Sequence, residues 1–380
     1  MDLVYLLICA IFFVISSKWI ISIFSARKWI VQETKNTEKV AFNHKPIFVL
    51  IPVLAEVDRI QKTVSYFLDT FSGRINIKIV LITTEAEYKY KFAGPNTIDI
   101  CKRLARQNNN RILHVHYPKN NGRMSHQLNF AITKLGNILE PDSLLTVYNA
   151  DSKPHPLTFD WVLQKRVHDP TQQIFQQYGD YTKNINGKTN GILLSAALWQ
   201  NRWALGFELS KVLRSIPNVN NNYLLRPLNY VIGHGLFMTR NFYDQSIGFS
   251  EIFHNEDAIL GLEISFLRQK IMPLPFFDVS DTPDTIRSLY TQKIHWFFGP
   301  YQAFKYFSFL LKKYQNCSLM DKITLALQSF KLFAHAIYWV AGPFFILFLL
   351  VYPLTTRNLL YILAGYSCFI AFLSYQTIYQ

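Results

Sequence analysis

Leu144-Leu145-Thr146-Val147-Tyr148-Asn149 is an apolar run of strand length, and Ala150-Asp151-Ser152-Lys153-Pro154 closes it with a polar turn that carries a carboxylate. Three similar runs precede it, at Ile47–Pro52 and at residues 77–83 and 112–116. The longer mixed stretches between them, residues 56–71, 97–107 and 125–139, have the length and patterning of helices. Strand and helix alternating at this spacing predict an α/β fold with a mainly parallel sheet covered on both faces by helices. In such sheets ligands bind beyond the carboxyl ends of the strands. The residues that follow each strand therefore carry the functional argument.

Five stretches stand out. Pro52-Val53-Leu54-Ala55-Glu56 ends the first strand and places Glu56 near a helix start, where a carboxylate also suits the helix dipole. Asp151 lies where oxygen ligands can hold a divalent cation that bridges phosphates; on its own it reads equally as a turn or cap residue. Gly233-His234-Gly235-Leu236-Phe237-Met238 is a glycine-flanked apolar strand, open to close approach at Gly235 or simply bulged. His254-Asn255-Glu256-Asp257 leads into a helical stretch; its two acids either cap that helix or supply a general base for a hydroxyl. Gln292-Lys293-Ile294-His295-Trp296-Phe297-Phe298-Gly299-Pro300 sets cations beside aromatics, which suits a diphosphate and a sugar, or an interfacial aromatic belt.

The ends of the chain differ from its middle. Residues 3–24 are mostly apolar, and at ~1.5 Å per residue they cross a ~30 Å hydrocarbon layer. Lys18 can snorkel toward the end that leads to Arg27 and Lys28. A helix lying flat on the bilayer is the other reading. A cleaved signal peptide is not, because the positive charges follow the apolar run. Residues 333–351 are apolar apart from His335, residues 359–378 carry no formal charge, and residues 352–358 read as a turn between them. A buried soluble hairpin would need a polar face that these helices lack. Residues 299–314, with Lys305, Lys312 and Lys313, predict an interfacial amphipathic helix.

The formal net charge is +14. With no basic run and no zinc-finger spacing, nucleic acid is excluded as the partner. Cytoplasmic bias explains the charge: Arg27, Lys28, Lys35 and Lys39 follow the first span, and Lys305, Lys312, Lys313 and Lys322 precede the second. The four cysteines, Cys9, Cys101, Cys317 and Cys368, form neither a disulfide framework nor a zinc site. No repeat is evident, and residues 184–190 and 218–222 read as polar loops.

In order and spacing, the middle segment from about Lys45 to Pro300 resembles the family 2 glycosyltransferases of the membrane synthase type, the group of cellulose, chitin and hyaluronan synthases. Pro52 to Glu56 resembles their Pro-x-x-Asn-Glu element. Asn121-Gly122-Arg123, running to Leu128-Asn129, resembles Gly-Lys…Leu-Asn. Asn149-Ala150-Asp151 resembles the Asp-x-Asp metal motif, Glu256-Asp257 the Glu-Asp of the catalytic base, and Gln292 to Trp296 the Gln-x-x-Arg-Trp motif. The resemblance implies a GT-A-like fold and inverting transfer from a nucleotide sugar, a UDP-sugar by preference, with Mg²⁺ or Mn²⁺ at Asp151. It implies Asp257 as base, and Glu56, Glu85, Arg123, Asp151, Lys293 and His295 around the donor. Gly235, Glu256, Gln292 and Trp296 would face the acceptor. The chain departs from the pattern at Ala55, at Asn149 in place of the first metal aspartate, and at His295 in place of arginine. Glu85 stands where an aspartate usually meets the base.

The expected organisation is a transmembrane helix at residues 1–26, a cytoplasmic catalytic domain at 27–298, an interfacial region at 299–330 and two transmembrane helices at 331–380. Such a protein would sit in the cell membrane and act on a growing polysaccharide or other glycan. Single addition to a lipid-linked acceptor is the second reading, favoured by so few spans, and an inactive scaffold is the third.

Overall fold

The computed structural model describes residues 2–38, 46–74, 76–216, 228–229, 231–356 and 358–377. The loop expected at 218–222, together with Lys39, Lys45 and Ile378, lies outside the described residues.

Strand β1 (Ile47–Pro52) alternates Ile47, Val49 and Ile51 with Phe48 and Leu50, and all five are buried. Both faces of the sheet are therefore covered, as a near-continuous apolar strand requires. Beside it run β2 (Ile77–Thr84), β3 (Ile112–Tyr117) and β4 (Leu144–Val147), with β3–β2–β1–β4 all parallel. The sheet continues through β7 (Leu236–Thr239), β6 (Ile174–Asp180), β8 (Ile271–Val279) and the short β5 (Lys153–Pro154), giving eight strands in the order β3-β2-β1-β4-β7-β6-β8-β5. β7 runs antiparallel to both β4 and β6, while β8 is parallel to β6. The result is a mixed, mainly parallel sheet. The carboxyl ends of β1, β2, β4, β6 and β8, and the amino end of β7, all fall on one edge.

Helices α2 (Ile60–Thr70), α3 (Thr97–Gln107) and α5 (Thr158–His168) follow β1, β2 and β5, and α4 (Met124–Lys134) follows β3. Two of these differ from the sequence expectation. α2 starts four residues after Glu56, because Ala55 adopts φ +58° and turns the chain away from helix. α4 stops at Lys134, and Gly136–Ile138 forms a separate 3₁₀ turn.

α1 (Asp2–Lys35) is a single helix of 34 residues, about 50 Å long at the α-helical rise. That exceeds a ~30 Å hydrocarbon layer, and its last turns pack against the sheet domain. There Ile23 and Ala26 are buried in the core, and Glu33 accepts from Trp161 Nε1 at 3.0 Å and pairs with Lys165 at 2.7 Å. α12 (Leu319–Thr356) and α13 (Leu359–Thr377) end the described chain. α12 runs through Pro343 and Pro353, so most of the turn expected at 352–358 is helical; proline is tolerated in helices of this apolar kind.

Leu3–Lys35 and Leu319–Thr356 are each long and apolar enough to cross a membrane. Their apolar side chains point outward, with Leu3 81 % and Phe344 69 % exposed, unlike the core helix of a soluble protein. The helix expected at 299–314 is instead two: α10 (Ile286–Tyr301) and α11 (Ala303–Lys313), which meet at Gln302. α11 buries Ala303, Tyr306 and Leu310 against protein, alongside Leu325 and Leu332 of α12. Lys313 reaches the buried Glu263 at 2.9 Å, so the apolar face of α11 is turned inward and leaves Phe304 and Lys305 outside.

Candidate active site

Three groups of candidate side chains gather beyond the carboxyl ends of the parallel strands, where sheets of this kind bind ligands. The first collects carboxylates beyond β1, β4 and β8. Asp151 Oδ2 accepts from the backbone N–H of Asp281 at 3.0 Å, and its carbonyl accepts from Lys183 Nζ at 2.6 Å. Lys183 also lies 3.4 Å from Asp281, and Arg59 lies 3.6 Å from Asp281 and 3.7 Å from Glu56. The Glu56 carboxyl is held above its ordinary range, mainly by burial; Arg59 works against this, and Asp151 and Asp281 add to it.

Among the described residues no three His, Cys, Asp or Glu side chains form a ready metal cage. Mg²⁺ and Mn²⁺ do not require one: Mg²⁺ in particular is held by one or two carboxylates together with substrate phosphates and water. Asp151, with Asp281 beside it, fits that donor set.

The loop leading to this group is tied from below. Buried Glu87 accepts from Ala55 N at 2.7 Å and from Thr97 N at 3.0 Å, and Thr97 Oγ1 accepts from Glu56 N at 3.0 Å. Glu85 stands apart at the end of β2. It meets His116 Nε2 at 3.0 Å, while Thr83 Oγ1 lies 2.9 Å from His116 Nδ1 and 2.8 Å from His114 Nε2. Burial, then His116 and Lys102, push His114 down to about 4, so it is neutral in this network.

The second group surrounds the acid pair at the start of α9 (Glu256–Phe266). Asp257 Oδ1 accepts from Ala258 N at 2.8 Å. A side chain at Gly233 would stand 3.7 Å from Asp257 Oδ2 and 3.8 Å from Glu256 Oε1, so the glycine backbone floors this pair. Burial raises both carboxyls; for Glu256 the charge of Asp257 adds to it and Arg123 opposes it. Gly235 holds φ +65°, and a Cβ there would sit 2.8 Å from Gln177 Cβ. Between them His234 is buried, 3.9 Å from Asp278, which Ser152 and Ser280 also reach. Arg123, at the start of α4, lies 3.1 Å from His254 Nε2, and the His254 ring lies 6.3 Å from that of His295.

The third group is on α10. Lys293 Nζ donates to Gln200 at 3.1 Å and lies 4.0 Å from the Trp296 ring centre. Burial lowers Lys293 to about 8 and Glu208 opposes the shift. Trp296 faces Tyr181, whose ring also meets His234 edge-on.

The structure thus brings Glu56 to Asp151, and Arg123 to Glu256, His254 and His295. Lys293 and Trp296 share a face, whereas His295, two residues along the helix, points elsewhere beside Arg123 and His254. Gln292 sits half-buried on α10. Sequence reading passed over Arg59, Lys183, Glu87, Asp281 and Glu208. Asp281 was open to discovery, since it lies just past β8 as Asp151 lies past β4. Glu208 is a lone carboxylate in the apolar run Ala204–Leu209.

No protein-family profile and no curated protein sequence matches the chain. Among solved structures, a mannosyltransferase from Pyrobaculum calidifontis, in complex with GDP-Man and Mn²⁺, is similar over 99 % of each chain, with 13 % identity and a TM-score of 0.51. Residues 1–349 of TarS from S. aureus give 0.41, at 11 % identity over 62 % of this chain and 60 % of that one. The glucosyl-3-phosphoglycerate synthase of Mycobacterium tuberculosis, in complex with UDP, gives 0.36, at 14 % identity over 64 % and 75 %. The last two are too distant to argue from. The first shows the fold, a GT-A-like sheet covered by helices, aligned over almost the whole of both chains.

Proposed function

We propose that the chain is a membrane-bound inverting glycosyltransferase that moves a sugar from a nucleotide sugar to a glycan acceptor. One observation carries the reading. Asp151 with Asp281, and Glu256 with Asp257, occupy the same edge of a GT-A-like sheet, with the Lys293–Trp296 face beside them.

In this reading Asp151 and Asp281 hold Mg²⁺ or Mn²⁺, which when bound neutralises the diphosphate of the donor. Arg123 adds fixed positive charge, and Glu85 with His116 faces the nucleotide base. Trp296 and Tyr181 provide the flat apolar surface on which an acceptor sugar stacks, and Glu256, Gly235 and Gln292 border it. Asp257 takes the proton from the acceptor hydroxyl as that oxygen attacks the anomeric carbon. The bond from that carbon to the diphosphate oxygen breaks, and the nucleoside diphosphate leaves with the electron pair. Positive-inside bias puts this site on the cytoplasmic side of the cell membrane. A lipid-linked acceptor is the second reading, favoured by the cations gathered where the apolar helices meet the catalytic domain.

The decisive experiment is a screen of nucleotide sugars, UDP- and GDP-linked, on the full chain in membranes, with products sized. Asp151→Asn should abolish divalent-dependent turnover and leave the fold intact. Full turnover by that variant, or by the natural protein in excess chelator, would remove the metal role; no turnover with any donor would leave the scaffold reading.

A further inference from the structure

Below the catalytic edge, the helix α6 (Gly191–Trp203) continues as a π-helical segment, Ala204–Leu209, and then as α7 (Ser210–Ser215). π segments recur at functional sites. This one lies where the two membrane helices enter the domain. Ser210 Oγ donates to the Ser22 carbonyl of α1 at 3.0 Å, and Arg214 Nη1 reaches Ser22 Oγ at 3.5 Å. Phe207 is the pivot. Its ring has Lys211 Nζ at 4.8 Å, the His335 ring of α12 at 5.1 Å, and Trp203 stacked at 4.1 Å. Lys331 lies one helical turn before His335, so it projects from the same face of α12.

Three cations, Lys211, Arg214 and Lys331, therefore converge at one junction. Their crowding has a consequence: Lys211 is lowered to about 7, first by burial and then by Arg214 and Lys331, with Glu208 opposing. Trp19 of α1 packs edge-on against Trp203 at 5.9 Å. Tryptophans beside cations, at the point where one apolar helix ends and another begins, mark the headgroup level of a bilayer.

The junction is joined to the catalytic edge. Glu208 is 3 % exposed, and its carboxyl is raised by burial and by Asp257 but lowered by Lys293 and Lys211. One buried acid thus lies within electrostatic reach of the junction on one side and of Asp257 and Lys293 on the other.

We propose that Lys211, Arg214 and Lys331 seat the phosphate of a lipid-linked acceptor at the membrane surface, so that its sugar extends past Glu208 to Trp296 and Asp257. This deepens the lipid-linked form of the proposed function and rests on it. Phosphate oxygens suit the Arg214 guanidinium and the Lys331 ammonium, and a bound phosphate would draw the lowered Lys211 back toward its charged form. A bulk phospholipid needs no buried link to a catalytic carboxylate; exposed Lys305 and Lys312 already offer it charge.

The test uses the full chain in phosphatidylcholine nanodiscs, titrated with a polyprenyl diphosphate, with the polyprenol of equal length, and with phosphatidylglycerol. Binding of GDP and UDP is measured on the same samples. The diphosphate lipid should bind at least ~10-fold tighter than either control, since one charge-assisted hydrogen bond is worth about that factor. Exposed Lys331→Ala should erase most of the preference, and Lys331→Arg should restore it, which also guards against a merely unfolded variant. Equal binding of polyprenol overturns the proposal, as does equal binding of phosphatidylglycerol, which would mark a general lipid anchor. An undiminished preference in Lys331→Ala overturns it too. Absence of nucleotide binding in the natural protein would instead sink the transferase reading on which it rests.

Discussion

Asp257 shows what a single environment does to a single residue. Its carboxyl is raised above the ordinary aspartate range by burial at the start of α9. As the proposed base it would work only when ionised, so activity should be lost as pH falls through this raised value, well above the acid limb an exposed aspartate would give. Asp257→Asn should lower turnover by about 10²–10⁴ while nucleotide binding persists. A kcat/KM profile against pH and a nucleotide titration check both parts, and a larger loss in Glu256→Gln would exchange the two roles. Ala55 is a second case. A non-glycine residue at φ +58° carries about 1–2 kcal/mol of strain, held here by the Glu87 carboxylate on its N–H. Ala55→Gly should relieve it and raise stability by about 0.5–1 kcal/mol after the entropy lost to glycine's freer unfolded chain. Thermal unfolding in detergent would read this, and an unchanged or lower midpoint would remove the strain argument.

Among the elements, β7 connects the two halves of the site. It pairs antiparallel with β4 on one side and β6 on the other, so its amino end delivers Gly233, His234 and Gly235 to the edge that carries Asp151 and Asp257. Gly235 N–H donates to Val147 at 2.7 Å, and its carbonyl accepts from Gln177 at 2.8 Å, which locks the register of both neighbours. Gly235→Ala meets a positive φ and the Gln177 side chain together and should cost about 2–4 kcal/mol. A stability measurement on the purified variant would decide it; natural stability would show that β7 can shift without cost. On α10, Lys293 and His295 are two residues apart and so face opposite ways. Lys293 reads the Gln200–Trp296 side, and His295 the Arg123–His254 side, where burial and then Arg123 keep its pKa low. An anion bound near Arg123 would favour its charged form. His295→Arg should therefore matter only in the presence of donor, by flattening any loss of activity on the alkaline side.

At the scale of the molecule, α1 is one rod that runs from an apolar end, long enough to cross a membrane, into the sheet domain, where Trp161 and Lys165 anchor it at Glu33. Arg27, Lys28 and Lys35 follow its apolar part, and Lys305, Lys312, Lys313 and Lys322 precede that of α12. The charge bias predicts an amino terminus outside, residues ~30–330 in the cytoplasm and a cytoplasmic carboxyl terminus. Reporter fusions along the chain check this. A reporter near Asp151 found outside the cell would break the orientation and the donor assignment together.

The sequence by itself determined β1 to β4 and β7, the helices between the first four strands, and the apolar ends; β5, β6, β8 and the antiparallel pairings came only from the structure. What the sequence determined is local pattern: β1 reads as buried from Ile47–Pro52 alone, and residues 3–24 read as a span from composition alone. It also placed Asp151 and Asp257, because strand ends and helix starts are visible in one dimension. Only the tertiary structure decided their companions. Asp281 meets Asp151 across 130 positions, and the Glu87 carboxylate reaches Ala55 across 32. The convergence of Lys211, Arg214 and Lys331 depends on where α7 docks against α1 and α12. Hydropathy and spacing record what each segment needs from its surroundings. They do not record which distant segment supplies it, since that is fixed by how the packed elements share one edge and one core.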